Sequence, residues 1–243
     1  MRKLVFAATV LAAAVPAHAD WKGKGEAGLV VSSGNTNTET ANAKVQLQKE
    51  TVDWKHSVGA AVLYSSDEEG KAANRWETFG QADWNFTVKN FVFGAARYEQ
   101  DEFSGFRYQA IASGGLGRRF IDSDVTKFTG TVGVGYKFFE TRDAIDEETG
   151  VLIEEGESDK EAVLRGTLDF EHKFTPTTDL INKFIVESGA DNTFVQNDLA
   201  LQVKMNAVLA LAVGFSVRHN TAPPAEFQET DTLTTINLVY EIK

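Results

Sequence analysis

The stretch Arg75-Trp76-Glu77-Thr78-Phe79-Gly80-Gln81-Ala82-Asp83-Trp84-Asn85-Phe86-Thr87-Val88 separates into two unlike rows when every second residue is taken. One row reads Trp76, Thr78, Gly80, Ala82, Trp84, Phe86; the other reads Arg75, Glu77, Phe79, Gln81, Asp83, Asn85. A period of two marks a β-strand, whose successive side chains point to opposite faces. The first row excludes every charge and carries aromatic rings at both ends. A sheet facing water has no reason to be that strict. A strand with lipid on one side and a polar interior on the other does.

The same rule extends along the chain. Ala162, Leu164, Gly166, Leu168, Phe170 and His172 alternate with Glu161, Val163, Arg165, Thr167, Asp169 and Glu171. Val195, Asn197, Leu199, Leu201 and Val203 alternate with Gln196, Asp198, Ala200, Gln202 and Lys204. The pattern predicts twelve strands, at 21–32, 38–50, 54–64, 74–88, 91–99, 105–119, 127–140, 160–174, 178–188, 192–204, 207–219 and 230–243. Most exceed the five or so residues usual in globular strands and suit a tilted bilayer crossing of about ten. Connections alternate between short turns and longer loops, the longest running from Thr141 to Asp159. The fold class is therefore all-β: a transmembrane antiparallel up-and-down barrel of about twelve strands. Both termini fall at the short-turn end. The aromatics of the apolar rows fall into two girdles. Trp21, Trp54, Trp84, Phe86, Phe128, Phe170, Phe174 and Tyr240 lie near the short turns, and Tyr64, Trp76, Tyr98, Tyr108, Tyr136 and Phe138 near the long loops. A secreted soluble barrel would instead bury these rings in a core.

The first residues read as processing. Arg2 and Lys3 precede the apolar run Leu4–Val15, followed by Ala17-His18-Ala19, a secretory pattern with cleavage before Asp20. The run is too short to span a bilayer, which takes about 20 residues. Residues 1–19 are thus expected to be a cleaved signal peptide and 20–243 the barrel domain.

Composition agrees and excludes much. The 243 residues carry a formal net charge of −11, 42% hydrophobic residues and no Cys. Mean hydropathy is −0.24. A bundle of apolar helices is excluded, as are disulfide scaffolds, thiol catalysis and nucleic-acid binding by bulk charge.

Ser32-Ser33-Gly34-Asn35-Thr36-Asn37-Thr38, together with Trp21-Lys22-Gly23-Lys24-Gly25-Glu26-Ala27-Gly28 and Leu238-Val239-Tyr240-Glu241, resembles the DUF481 family. Members carry the label salt-induced outer membrane protein. The resemblance spans 20–243 and implies an outer-membrane barrel without a settled biochemical activity. Ser33, Gly34, Asn35 and Thr36 form its most recognisable element and are expected to make a tight turn with positive φ at Gly34 and Asn35. The chain departs from the usual aromatic terminus of such barrels by ending on Lys243.

Chemistry is sparse. Beyond the leader only His56, His172 and His219 remain, and Ser216 and His219 lie on opposite faces of one strand. No catalytic, cofactor or metal residues are expected, and no cofactor. The acidic long loops, with Asp67-Glu68-Glu69 and the run from Asp143 to Asp159, match no calcium-loop spacing. The lumen rows are richer. Arg75, Glu77, Asp83, Arg97, Glu99, Arg107, Arg165, Asp169, Lys183 and Asp198 are the candidate lining residues, with Glu171, Glu187, Lys204 and Arg218 in the same phase. They describe either a narrow hydrated pore or a salt-bridged plug. Expected partners are outer-membrane lipid and lipopolysaccharide, with the barrel-assembly machinery during biogenesis and no nucleic acid. The chain is expected to be a monomer in the cell outer membrane. A lipid- or small-molecule-binding barrel is the alternative, and an outer-membrane enzyme is disfavoured by the histidine positions.

Overall fold

The computed structural model describes residues 21–33, 38–66, 72–102, 104–145, 152–223 and 227–242. Residues 1–20, on which the expected signal peptide falls, Gly34 to Thr36 of the turn motif, and Asp67-Glu68-Glu69 lie outside the described residues. In chain order the strands are β1 (Trp21–Ser33), β2 (Thr38–Glu50), β3 (Trp54–Ser66), β4 (Ala72–Asn85), β5 (Asn90–Asp101), β6 (Phe106–Asp122) and β7 (Thr126–Thr141). A small pair, β8 (Ala144–Ile145) and β9 (Leu152–Glu154), follows. Then come β10 (Ser158–Thr175), β11 (Thr178–Ser188), β12 (Thr193–Lys204), β13 (Leu209–Asn220) and β14 (Thr230–Ile242). All but β8 and β9 form a closed antiparallel barrel in the order β1-β14-β13-β12-β11-β10-β7-β6-β5-β4-β3-β2. Pairing of β1 with β14, from Gly23↔Ile242 to Ser33↔Thr232, closes it. Closure pairs both edges of every barrel strand, as hydrocarbon demands.

The barrel is inside-out relative to a soluble protein. Val132, Val134 and Leu164 are exposed on the outer wall at 57%, 69% and 58%, whereas Glu99 and Glu187 are buried in the interior at 1% and 3%. That inversion suits a lipid-facing wall and fits the twelve strands and phases read from the sequence.

Both rings of aromatics are present. At the long-loop end Tyr98 stacks on Tyr108 at 5.9 Å and packs on Trp76 at 5.2 Å, while Trp76 Nε1 donates to Gln100 Oε1 at 2.9 Å. At the other end Trp54 stacks on His56, and His172 lies between Phe170 and Phe174. The short turns are closed by side chains suited to them: Ser123 Oγ accepts the Thr126 N–H at 2.9 Å, and Asn206 Oδ1 accepts those of Val208 and Leu209, both at 2.9 Å.

Two register shifts in β6 were not legible as alternation. One lies between Phe106 and Tyr108, the other between Arg119 and Ile121. β6 accordingly runs on to Asp122, and its turn to β7 is shorter than the spacing implied. The long loop between β7 and β10 is also not featureless, since β8 pairs with β9 within it.

Candidate functional site: a charged bridge across the lumen

The lumen is spanned near its long-loop end by four arginines and four carboxylates. Arg218 on β13 donates from Nη2 to both Glu99 oxygens at 2.8 and 3.0 Å, and from Nη1 to Asp101 Oδ2 at 2.9 Å. Glu99 and Asp101 stand on β5. β5 and β13 are six strands apart in a twelve-strand ring, so this contact crosses the full width of the barrel. Arg97, also on β5, reaches Glu187 on β11 at 3.2 Å, and Arg165 on β10 reaches the other Glu187 oxygen at 3.3 Å.

The neighbouring pair β4–β5 explains why the bridge needs arginine. Glu77 and Glu99 face each other directly in register, an arrangement that costs energy for like charges. Arg75 sits between them, 3.6 Å from Glu77, 3.7 Å from Glu99 and 3.6 Å from Asp101. Arg97 adds a contact to Glu99 at 3.3 Å. A guanidinium serves several carboxylates at once because its donors fan out in a plane. Phe194 on β12 supplies a ring face to two of them, with Arg218 at 5.1 Å and Arg97 at 5.6 Å from its centroid. Lys137 on β7 lies over Phe106 and Phe139 at 5.5 and 5.4 Å.

Toward the short turns the lining changes character. Asp83 is buried and accepts from Gln81 Nε2 at 2.8 Å. Asp198 accepts from Gln196 Nε2 at 2.7 Å and from the Ser216 hydroxyl. Asp169 stands on the inward row of β10, exposed to the lumen, in register with Lys183. Lys204 pairs with Asp179 at 3.0 Å at the rim.

Of the candidate lining residues, the structure brings Arg75, Glu77, Arg97, Glu99 and Arg165 into the bridge and sets Asp83, Asp169, Lys183 and Asp198 on the inner wall beyond it. Arg107 is the exception. The bulge beside Phe106 gives the inward place to that ring, which packs edge-on against Phe139 at 5.5 Å. Arg107 is displaced to the rim, its side chain 52% exposed, where it pairs with Glu140 and with Asp143 at 3.6 Å. Asp143 also accepts the Gly156 N–H at 2.8 Å, so one acid of the long loop anchors the loop's own base. Asp101 lies beyond the strand 91–99 expected from the alternation, yet it is the last residue of β5 and a principal partner of Arg218. Lys137 was not among the candidates, although its place between the outward Tyr136 and Phe138 puts it on the inward row.

The histidines serve the girdles. His172 Nδ1 lies 2.8 Å from Thr126 Oγ1, and His219 Nδ1 lies 2.9 Å from Thr230 Oγ1. Ser216 turns inward to Asp198, away from His219.

A family model described as "Protein of unknown function, DUF481" matches residues 25–242. The chain belongs to the DUF481 family. A DUF481 relative, "Uncharacterized protein YdiY" of Escherichia coli (strain K12), is 26% identical over 237 residues, covering 96% of this chain and 88% of its own. Among solved structures, the translocator domain of autotransporter NalP from Neisseria meningitidis is similar in fold, with a TM-score of 0.57 and 9% identity, over 90% of this chain and 88% of that one. The NanC porin is similar with a TM-score of 0.53 and 9% identity, over 90% and 98%. At such identities the likeness is one of fold: this DUF481 chain shares the outer-membrane barrel architecture of a porin and of a translocator.

Proposed function

We propose that the protein is a narrow, high-resistance channel of the outer membrane, one that admits small ions and small zwitterions and rejects neutral oligosaccharides. A porin and a translocator share its fold, so fold alone selects no role. The observation that carries the reading is the Arg218–Glu99–Asp101 contact, which joins opposite walls and subdivides the lumen. Its four guanidiniums and four carboxylates are all paired with opposite charges, so the bridge presents little net field to a solute and acts chiefly by size. Export through cleavage after Ala19, monomeric insertion by the assembly machinery and contact with lipopolysaccharide complete this picture.

A second reading, a structural or salt-stress-related barrel with a permanently braced interior, is favoured by how completely the bridge is paired. Liposome swelling separates the two. Purified protein in liposomes should admit glycine and small electrolytes while excluding a trisaccharide. Entry of the trisaccharide would refute the constriction, and exclusion of glycine would favour the brace.

A further inference from the structure

A second bar crosses the lumen on the short-turn side of the arginine bridge. Lys183 on β11 lies between two carboxylates in register, Asp169 on β10 and Asp198 on β12. A lysine so placed ordinarily pairs along the wall, where facing Cβ atoms are about 5 Å apart. Here, among the described residues, it forms no ion pair with either. Its ammonium instead stands 5.6 Å from the centroid of Phe79, on β4. β11 and β4 are five strands apart by the shorter way round the ring, so the side chain extends across the interior.

Phe79 has a seat built for this. It is in register with Gly59 on β3, and a Cβ at Gly59 would come within 2.4 Å of Phe79 Cζ and 2.9 Å of the Val45 carbonyl oxygen. The absent side chain lets the ring lie against the wall and turn a face to the lumen. The opposite wall keeps an alternative ready. Asp169 is exposed to the lumen, and Asp198 is already oriented by Gln196 and Ser216. Lys44 projects inward from β2, in register with Glu26 and Ala61, and its charge repels Lys183 and discourages it from settling on the β2 side.

We propose that Lys183 is a displaceable crossbar, a specificity-determining residue that bars the lumen while on Phe79 and clears it by folding back between Asp169 and Asp198. The inference rests on the channel reading above. The permeant class it favours is small monovalent cations, organic ammonium ions included. A cation can take the vacated ring face by the attraction that held Lys183, whereas an anion is repelled by the negative face of the same ring. The arginine bridge is then a fixed size filter and the crossbar a charge filter in series with it.

Series arrangement dictates the test. Planar-bilayer currents in potassium chloride and in tetramethylammonium chloride are compared in a Arg75→Ala/Arg97→Ala background, where the first filter is widened, after heat-modifiable migration has shown assembly. Phe79→Leu removes the seat but keeps the ammonium, so conductance should rise with little change in ion preference, because Lys183 then neutralises the aspartates. Lys183→Ala should raise conductance as well and shift preference severalfold toward cations. Equal selectivity in the two variants, or no rise in either, would overturn the crossbar. A thermal-melting cycle in micelles, in the otherwise unmodified chain, checks the contact without any current: the shifts of Phe79→Leu and Lys183→Ala should be non-additive, because Lys183 meets the ring in one background and the aspartates in the other. Strictly additive shifts would overturn the crossbar. A coupled cycle with silent membranes in every variant would overturn the channel reading and, with it, the gate.

Discussion

Replacing Arg218 by Met tests the bridge at its widest span. The substitution keeps an apolar chain over Phe194 and removes three charge-assisted hydrogen bonds, two to Glu99 and one to Asp101. Removing one partner of a buried ion pair costs about 3–5 kcal/mol, mostly from the charge left behind. Glu99 retains Arg97 at 3.3 Å and Arg75 at 3.7 Å, and Asp101 retains Arg75 at 3.6 Å. Those remaining guanidiniums put the expected loss at the low end, about 3 kcal/mol. The control is Arg107→Met, the same chemistry at the exposed rim, where ion pairs contribute about 0–1 kcal/mol. Denaturant titration in lipid vesicles, followed by tryptophan fluorescence, reads both. Arg218→Met and Glu99→Gln should also couple by about 0.5–3 kcal/mol in a double-mutant cycle, since they share one contact. If Arg218→Met costs no more than Arg107→Met, or the cycle is additive, the bridge does not hold opposite walls together.

Two further outcomes follow from the faces of the wall. Leu199→Arg puts a charge on the lipid face and should destabilise by about 2–4 kcal/mol, while Ala200→Arg, one residue on and inward, should cost clearly less; equal losses in vesicle unfolding would invert the assigned phase. Asn182 and Asn197 are polar residues on the outer wall that satisfy each other, Asn182 Nδ2 donating to Asn197 Oδ1 at 3.0 Å. Asn182→Leu should therefore cost about 0.6–1.7 kcal/mol by stranding Asn197 in lipid, and Asn182→Leu/Asn197→Leu should recover most of it; a double variant worse than the single would contradict the pairing.

The barrel was legible in the chain because its physics is local. Alternation fixes which face each residue takes, and the charge-free rows that include Trp76, Leu164 and Leu199 fix which face meets lipid. Strand ends were legible to within a few residues for the same reason. The two bulges in β6 were not, since an extra residue leaves composition unchanged while reversing phase, and this is how Arg107 left the inward row. The inward phase of Arg75, Glu77, Arg97 and Glu99 was readable, but their partners only in part. Sequence presents pairs on neighbouring strands, and Arg218 meets Glu99 across 119 residues of chain and half the barrel's circumference. Lys183 illustrates the limit: its registered neighbours are two aspartates, and its actual partner is a phenylalanine on the far wall.

The central claim, a membrane barrel whose lumen is narrowed by a bridge of paired charges, is met most directly by single-channel recording of the intact protein beside Arg75→Ala/Arg97→Ala. The intact protein should conduct weakly, and the double variant more strongly and with a shift toward cations, because Glu77 and Glu99 lose neutralising partners. Large, non-selective currents from the intact protein would contradict the constriction, and unchanged selectivity in the double variant would place the bridge outside the permeation path.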